Sequence, residues 1–546
     1  MKNDIESQVY EILSLLDIKV SRKLLKKYLR SHFAFPSLLS ITDTFDVLGI
    51  ENTALIVDKK NIKELPTPFL AHMSGRCNEF IVVKDFKKQI SNNPALYEAW
   101  TGVILIIEAP DNFQVKENNE LLLREKFQRS GRIAIASLLL LLLLLSVDIP
   151  GKNFIILLLL SLTGMYISIL IVQQDLGFGS ELTDHLCSLN KQANCNAVLK
   201  SKHAKIYKQI SWSDAGLIYF SSFTALLVLF SLGKLSSVFF TLSVISAFGV
   251  PFIFYSIYYQ LKVIKSWCPL CLITISLLAL QFMFFMPQVL GFSFKYFKFN
   301  STLLTAFVFV SISYAWLDFV KPLLKTNKRL DDENYSFTRF KNDPETFSAI
   351  LRTQPQVKSY IFDDDFQICN PGANLQMIVC CNPYCMPCSK AHKVIHEIAE
   401  KYSEFIKIAI RFSVDANEME DKGTKAVQYI FQHLKEATKY LNGAEKILYN
   451  RKALQAWYTY MDLNRFSSEY ILKKETDVSD LLKQHQNWVR ESNVRGTPEF
   501  ILNGFKVPKQ YSITDILKMM KGLISEFGDN QAELGKNIFE RKSAMT

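Results

Sequence analysis

Six of the ten cysteines fall into three pairs whose spacing suits thiol–disulfide exchange. The pairs are Cys187 with Cys195, Cys268 with Cys271, and Cys385 with Cys388. The last two are C-x-x-C motifs, a spacing that lets two thiols form and break a disulfide. The first two pairs adjoin long apolar runs, and the third lies in a polar C-terminal region. This layout predicts a path for electrons between a soluble thiol domain and a membrane.

The C-terminal pair lies between a strand-like and a helix-like segment. Residues 375–379 are apolar and strand-like, and residues 389–402 have a helical pattern. The first thiol of the pair is therefore expected at a helix N-terminus, where free amide groups and the helix dipole stabilise a thiolate. We assign Cys385 as the nucleophile and Cys388 as the resolving partner.

Cys380 and Cys381 precede this pair and leave several interpretations open. If they extend the strand, their side chains point to opposite faces, and at most one of them faces the pair. We expect both to be small buried side chains, as we do for Cys369 and Cys77. The alternatives are an accessory redox role, or a zinc site that Cys380 and Cys381 complete with the C-x-x-C pair.

The elements that must position these pairs include a membrane domain. A hydrocarbon core of about 30 Å needs roughly 20 apolar residues per helix, and the middle of the chain is rich in Leu, Ile, Phe, Val and Ser. Six spanning helices are predicted, at 133–148, 153–173, 215–232, 235–261, 268–290 and 300–320. Six spans place both termini and both membrane cysteine pairs on the same side.

Two rules point to opposite sides of the membrane for this face. Disulfides persist outside the cytoplasm, whereas basic residues mark the cytoplasmic side. The cysteine-rich face carries the larger basic set, namely Arg124, Lys126, Arg129, Arg132, Lys321, Lys325, Lys328 and Arg329, against Lys152, Lys234, Lys295 and Lys298. We follow the redox rule and expect a bacterial inner-membrane protein with extracytoplasmic soluble domains. The net charge of +11 is spread along the chain, and no nucleic-acid partner is expected.

Residues 153–320 resemble the vitamin K epoxide reductase (VKOR) family. The resemblance is carried by the seven residues between Cys187 and Cys195, by the segment 211–217, and by Cys268-Pro269-Leu270-Cys271 at a helix start. It implies a four-helix core, here with extra helices, that transfers electrons from thiols to a quinone.

The same resemblance implies individual roles in the membrane domain. Cys271 is the sulfur expected to face the quinone, which would be menaquinone or ubiquinone, and Ser201 is a hydrogen-bond donor to it. Ile275 stands where some members have Tyr, which leaves the details of quinone contact open. Without the resemblance, Cys187 and Cys195 could form a simple structural staple, and Cys268 and Cys271 could be packed thiols.

A second resemblance concerns the C-terminal region. Thr497-Pro498 precedes an apolar strand-like run, and with the C-x-x-C motif it resembles the thioredoxin-fold oxidoreductases. The mostly helical stretch at 420–490 resembles the insertion of their DsbA-like branch. The resemblance implies an α/β domain in which a cis-proline at Pro498 packs against the active disulfide. Cis X-Pro bonds are a minority state, so such a bond would be a specific feature.

The first 115 residues resemble the peptidase C39 family, which has an α+β papain-like fold. The resemblance rests on 35–40 followed by 48–50, on 79–83 and on 100–102. Such peptidases need a nucleophilic Cys near the N-terminus and a His at the start of the central strand. No Cys precedes Cys77, and Glu79 occupies the His position. A non-catalytic peptide-binding or docking module is therefore expected.

The chain is thus predicted to have three domains. They are a degenerate C39-like domain at 1–115, a VKOR-like transmembrane domain of six helices at 133–320 and a DsbA-like thioredoxin-fold domain at 346–546, with linkers at 116–132 and 321–345. We predict a quinone-dependent thiol oxidoreductase that forms disulfides in reduced secreted or periplasmic proteins or peptides and uses no metal. The alternatives are an outward reductant or isomerase relay, and an export accessory that binds cysteine-rich peptides.

Overall fold

The computed structural model divides the chain into two compact units. One unit combines Met1–Leu122 with Asn334–Thr546, and the other is Leu123–Glu333. The described residues are 5–58, 66–74, 79–86, 89–90, 93–109, 115–127, 130–131, 152–178, 183, 187, 195–199, 201, 204–207, 210–233, 236–290, 298–362 and 365–527. The regions that precede and follow the apolar spans in sequence, predicted as separate domains, therefore belong to one unit.

The N-terminal region is a small α+β arrangement. Its elements are α1 (Ile5–Leu15), α2 (Arg22–Ser31), α3 (Leu38–Leu48), β1 (Asn52–Ile56), β2 (Phe69–Met73), β3 (Glu79–Val83), α4 (Pro94–Ala99) and β4 (Trp100–Ile107). The strands form an antiparallel sheet in the order β1-β4-β2-β3. The Ser37 side chain caps α3 by accepting from the Ser40 N–H, and Gly49 ends the helix with φ 69°. The buried core joins helices to sheet through side chains such as Phe45 and Leu105.

The second unit is helical. Its elements are α5 (Lys152–Asp175), α6 (Cys195–Leu199), β5 (Lys205–Tyr207), β6 (Ile210–Ser211), α7 (Trp212–Gly233), α8 (Ser236–Phe248), α9 (Val250–Tyr258), α10 (Pro269–Leu290) and α11 (Phe299–Tyr314), followed by α12 (Lys321–Lys341), which the unit shares with the first. Two π-helical segments, Tyr259–Ile264 and Ala315–Val320, continue α9 and α11. The small pair β5 and β6 precedes α7.

Five stretches of the described chain are long and apolar enough to cross a membrane. They are Phe154–Asp175, Trp212–Leu229, Phe239–Ile264, Pro269–Pro287 and Phe299–Lys341. The first four correspond to the spans predicted at 153–173, 215–232, 235–261 and 268–290. The fifth contains the span predicted at 300–320 and continues as α12 to Lys341, into the segment 321–345 that was predicted as a linker. The span predicted at 133–148 lies outside the described residues. The helices pack through apolar side chains such as Leu157, Phe223 and Phe285, which are fully buried.

The C-terminal region is a mixed sheet covered by helices. Its elements are α13 (Pro344–Arg352), β7 (Phe366–Gln367), β8 (Leu375–Cys381), α14 (Met386–Lys401), β9 (Ile406–Phe412), α15 (Lys422–Ala437), α16 (Gly443–Tyr460), α17 (Leu463–Glu469), α18 (Ser479–Glu491), β10 (Glu499–Leu502), β11 (Phe505–Lys506) and α19 (Ile513–Phe527). The sheet order is β11-β10-β8-β9-β7. Of the strand pairs described for this sheet, β8 with β9 is parallel and the others are antiparallel. Helices α15 to α18 occupy the stretch expected to be a helical insertion.

Candidate functional site

The C-terminal pair lies where β8 ends and α14 begins. Cys385 is the N-cap of α14, and its Sγ accepts a hydrogen bond of 3.3 Å from the Cys388 N–H. Pro387 lies in the first turn of the helix, where a backbone N–H has no acceptor within the helix, so the missing N–H of proline removes no hydrogen bond. Cys388 is fully buried, whereas Cys385 is partly exposed. An incoming thiol can therefore reach Cys385 more readily than Cys388.

The turn before β10 lies against the same sulfur. The Thr497–Pro498 peptide bond is cis, and the Cys385 thiol donates to the Thr497 carbonyl at 3.3 Å. This position follows from sheet register, because β10 runs antiparallel to β8 and Glu499 is opposite Cys380. The structure thus brings together the four residues that the sequence analysis assigned to this site.

The two cysteines at the end of β8 face opposite sides of the sheet. Cys381 belongs to the same buried cluster as Cys388, whereas Cys380 packs in another with Trp488 and Ile501. The Cys381 Sγ lies 3.5 Å from the Nε2 of His392. Within the described residues, no three His, Cys, Asp or Glu side chains are arranged to hold a metal ion. The four cysteines of the zinc alternative do not converge.

The two thiols of the pair differ in pKa. The Cys381 thiol is the main cause that lowers the pKa of Cys388 to about 6. Partial burial is the main cause that raises the pKa of Cys385 above its ordinary value. The assignment of Cys385 as the nucleophile stays a prediction.

The remaining cysteines were expected to be small buried side chains. Cys369 is fully buried, as are Cys380 and Cys381. Burial raises the pKa of Cys369 to about 12, which makes that thiol unreactive at neutral pH. Cys77 lies outside the described residues.

The membrane cysteines form a second group. Cys187 and Cys195 are joined by a disulfide with Cα atoms 5.7 Å apart. The Cys271 N–H donates to the Cys268 Sγ at 3.4 Å, and both sulfurs are free thiols. All four side chains contribute to one apolar cluster, Cys195 and Cys268 as buried members and Cys187 and Cys271 as partly buried ones. The loop disulfide and the C-x-x-C pair are therefore neighbours.

A polar residue from the preceding segment fixes the start of the C-x-x-C turn. Gln260 lies in the π-helical stretch before Lys265, and its Oε1 accepts from the Cys268 N–H at 2.8 Å. The sequence analysis did not identify this residue. The feature that could have identified it is a single buried amide side chain in an apolar span. Burying such a polar group in a membrane lowers stability unless it has a hydrogen-bond partner.

An apolar cavity of about 220 Å³ opens beside Cys271. Its walls come from α5, α7, α9 and α10, and they include the small residues Ser168, Gly216 and Thr274. Six of the lining side chains are aromatic, namely Trp212, Tyr219, Phe220, Phe252, Tyr255 and Tyr259. A flat apolar ring fits such walls, because aromatic side chains pack against it face to face or edge to face.

Ser201 was predicted to donate a hydrogen bond to the quinone. Its hydroxyl donates to the carbonyl of Val198 at 2.8 Å. Ser201 is not one of the described residues that line the cavity. Ala204 of the same loop does line it. The assignment of Ser201 to quinone contact stays a prediction.

A buried ion pair lies where α7 begins. Asp214 accepts hydrogen bonds from the Ser211 N–H at 2.8 Å and from the Trp316 Nε1–H at 2.9 Å, and it pairs with Lys321. Ser211 and Ser213 also line the cavity, so this polar group supports one wall. The sequence analysis noted the segment but not its partner, since Lys321 is 107 residues away.

Two family models match separate parts of the chain. Residues 155–286 match the model of the vitamin K epoxide reductase family, and residues 363–521 match a thioredoxin model. No curated protein sequence matches the chain. Neither model reaches residues 1–115, so the expected papain-like C39-type fold of that region is not supported.

Several solved structures resemble part of the chain at low identity. Proteus mirabilis ScsC in a transitional conformation is 15% identical, with 38% of this chain and 95% of that chain covered and a TM-score of 0.26. Oxidised BdbD from Bacillus subtilis is 8% identical, with 32% of this chain and 97% of that chain covered and a TM-score of 0.25. A variant of alpha-DsbA1 from Wolbachia pipientis is 20% identical, with 33% of this chain and 96% of that chain covered and a TM-score of 0.23.

A VKOR domain, a thioredoxin-like domain and membrane-length helices thus occur in one chain. This combination indicates a thiol–disulfide oxidoreductase that is a membrane protein.

Proposed function

We propose that the protein oxidises the thiols of secreted or periplasmic proteins or peptides and passes the electrons to a membrane quinone. The observation that carries this proposal is the position of Cys271, which lines the apolar cavity and packs in one cluster with Cys268 and the Cys187–Cys195 disulfide. A thiol pair that packs in one cluster with a disulfide and lines an apolar cavity is suited to relay electrons between them.

The first step takes place at the C-terminal pair. A substrate thiolate attacks Cys385 in the Cys385–Cys388 disulfide and forms a mixed disulfide, while Cys388 leaves as a thiolate. A second substrate thiol then displaces Cys385, so the substrate gains a disulfide and the pair gains two electrons and the protons. Cys385 is the sulfur for this attack because Cys388 is fully buried. The low pKa of Cys388 makes it a good leaving group.

The second step returns the pair to its disulfide form. The reduced Cys385 attacks the Cys187–Cys195 disulfide, and Cys187 is the more accessible of those two sulfurs. Cys388 resolves the mixed disulfide, which leaves Cys187 and Cys195 as thiols. These in turn reduce a Cys268–Cys271 disulfide, with the same exchange of bonds.

The cavity residues hold the final acceptor. When bound there, a quinone such as menaquinone or ubiquinone supplies a two-electron, two-proton acceptor beside Cys271. The aromatic walls bind and orient a flat ring, and the apolar lining excludes water from the Cys271 sulfur. Gln260 holds the Cys268 amide and so keeps the C-x-x-C turn at the cavity rim.

The N-terminal region has a separate proposed role as a non-catalytic docking module for peptides, as the C39-like resemblance implies. One observation favours a role near the thioredoxin-like domain. Lys521 of α19 forms ion pairs with Asp43 and Asp46 of α3, which attaches the two regions to each other. A peptide held by the N-terminal region would then stay near the oxidising domain. We place both on the extracytoplasmic side of the bacterial inner membrane.

A trapping experiment tests the second step. In Cys388→Ala the mixed disulfide between Cys385 and Cys187 cannot be resolved by Cys388, so a cross-linked peptide containing both sulfurs should accumulate. Mass spectrometry of the digested, alkylated full-length protein measures it. Cys369→Ala is the matched control, because Cys369 is an unreactive buried thiol of the same domain. If Cys388→Ala carries no more of this cross-link than the control, the proposed relay is wrong.

A further inference from the structure

We propose that Asp175 is the proton donor for quinone reduction and acts through the hydroxyl groups of Ser211 and Ser213 at the wall of the cavity. This inference rests on the proposed function, because it concerns the quinone that Cys271 would reduce. It assigns a role to a carboxylate that the thiol relay itself does not use.

Asp175 connects the end of a membrane span to the cavity wall. It is the last residue of α5 and of the apolar stretch Phe154–Asp175, and its side chain is partly exposed. Its Oδ2 lies 2.9 Å from the Ser211 Oγ and 2.8 Å from the Ser213 Oγ. Both serines line the cavity, as does Cys271. A chain of hydrogen-bonded oxygens therefore leads from a partly exposed carboxylate to the cavity.

Helix capping explains only part of this cluster. Ser211 precedes α7, and Asp214 in the first turn accepts from the Ser211 N–H at 2.8 Å, as one half of a capping box does. This contact and the ion pair with Lys321 account for Asp214. Neither involves Asp175, whose described side-chain hydrogen bonds come from the two serine hydroxyls. A cap of α7 alone would not require a carboxylate from α5.

The charged groups around Asp175 make it the carboxylate that can change its charge. Asp214 of α7 pairs with Lys321 of α12, and the Lys328 Nζ of α12 donates to the carbonyl of Leu176 at 2.7 Å. Among the residues that the structure describes, no basic side chain forms an ion pair with Asp175. Protonating Asp214 would therefore break a buried ion pair, whereas protonating Asp175 would break none.

The oxygens of this cluster can accommodate one further proton. The Ser211 Oγ lies 2.6 Å from the Ser213 Oγ and 2.9 Å from the Asp214 Oδ2, in addition to the contacts of both serines with Asp175. Each of these contacts requires one hydrogen, but each hydroxyl group supplies only one. With both carboxylates ionised, some of the contacts hold no hydrogen, and a proton on Asp175 would supply one. The cluster can therefore take up a proton at Asp175 and release one into the cavity.

This proton is needed because reduction places negative charge in an apolar cavity, where an uncompensated charge is unfavourable. As the Cys268–Cys271 disulfide forms, the two thiols lose two electrons and two protons. Both electrons pass to the quinone ring, one thiol proton passes to a ring oxygen, and the other is released to the solvent. Ser213 gives its hydroxyl proton to the second ring oxygen and takes one from Asp175. Asp175 regains a proton from the solvent, so the reaction as a whole consumes none.

Single-turnover reduction of menaquinone by the prereduced full-length protein in detergent tests this role. Asp175→Asn keeps the size of the side chain but has no acidic proton, so the rate should fall about 100-fold. The Kd for menaquinone, measured by quenching of tryptophan fluorescence, should change by less than about twofold, because the lost interaction acts only during the reaction. Formate buffer should restore much of the rate, because a small diffusible acid can deliver the proton instead.

Asp318→Asn is the matched control, because Asp318 is an exposed carboxylate of the same unit that does not line the cavity. The inference is overturned if Asp175→Asn slows reduction no more than this control does. It is also overturned if the slower rate comes with a raised Kd and is not restored by formate, since a purely structural role predicts that result.

Ser213→Ala provides a second variant should Asp175→Asn not fold. It removes one hydroxyl link between Asp175 and the cavity. We expect slower reduction with an unchanged Kd, and a rate equal to that of the wild type overturns the inference. A wild type that reduces no quinone contradicts the proposed function and this inference with it, whereas the outcomes described for the variants overturn this inference alone.

Discussion

Cys385 and Cys388 divide between them the two properties that thiol exchange requires. Cys385 is the accessible sulfur, at the helix N-cap and in contact with the Thr497 carbonyl. Cys388 is buried and has the lower pKa. A substrate thiolate therefore attacks Cys385, and Cys388 carries the negative charge when it leaves. Cys381 is the main cause of the lowered pKa of Cys388, and partial burial is the main cause of the raised pKa of Cys385, neither of which a C-x-x-C motif alone reveals.

The thiolate should be visible in a titration. We expect the ultraviolet thiolate absorbance of the reduced protein to rise with a midpoint near pH 6, since the Cys388 thiol is protonated below its pKa and ionised above it. Cys388→Ser should remove this transition and leave one at higher pH, because the pKa of Cys385 is raised. Cys369→Ala should leave the transition unchanged. A midpoint near the ordinary cysteine value of about 8.5 in the wild type would contradict the assignment.

The helices of the membrane unit depend on one close contact. At Gly164 of α5 a Cβ atom would lie 2.2 Å from the ring of Phe220 on α7. Overpacking in a tight interface costs about 1–3 kcal/mol. We therefore expect Gly164→Ala to lower the thermal unfolding midpoint of the full-length protein in detergent. Gly131→Ala is the control, because its Cβ would meet nothing within 4 Å. Equal midpoints for the two variants would show that the α5–α7 contact is less tight than described.

The Asp214–Lys321 pair links α7 to α12 and supplies a second prediction. Both side chains are buried, and removing one partner of a buried ion pair typically costs about 3–5 kcal/mol. Lys321→Met should therefore destabilise the protein strongly, and addition of Asp214→Asn should recover part of the loss. Thermal unfolding of both variants measures this. The exposed Lys325, changed to Met, is the control, and a loss as large as that of Lys321→Met would contradict the special role of the pair.

Elements were easier to predict from sequence than contacts. Apolar runs of membrane length predicted the five described spans. The helical pattern at 389–402 after the C-x-x-C turn predicted α14, which begins three residues earlier, at Met386. Alternation along β8 showed that at most one of Cys380 and Cys381 could face the pair, but not which, because this depends on the register with β9 and β10. The partner of Gln260 depends on a π-helical turn for which the sequence carries no clear pattern.

On the scale of the whole molecule, the two units have different surfaces. The membrane unit exposes large apolar side chains on its spans, among them Phe254, Phe307 and Val310. Water would penalise such a surface, whereas lipid chains cover it. The other unit combines the N-terminal region with the thioredoxin-like domain, through ion pairs such as Lys521 with Asp43. No sequence pattern predicts this association, because the partners lie 478 residues apart.

The central claim is that electrons pass from substrate thiols to a quinone through the three cysteine pairs. The most direct test is the rate of quinone reduction by the full-length protein in detergent, with a reduced dithiol peptide as donor. We expect rapid reduction by the wild type and by the Cys369→Ala control, and its loss in both Cys385→Ala and Cys271→Ala. Absence of quinone reduction in the wild type, with Cys385 still exchanging disulfides, would contradict the claim and favour a reductant or isomerase.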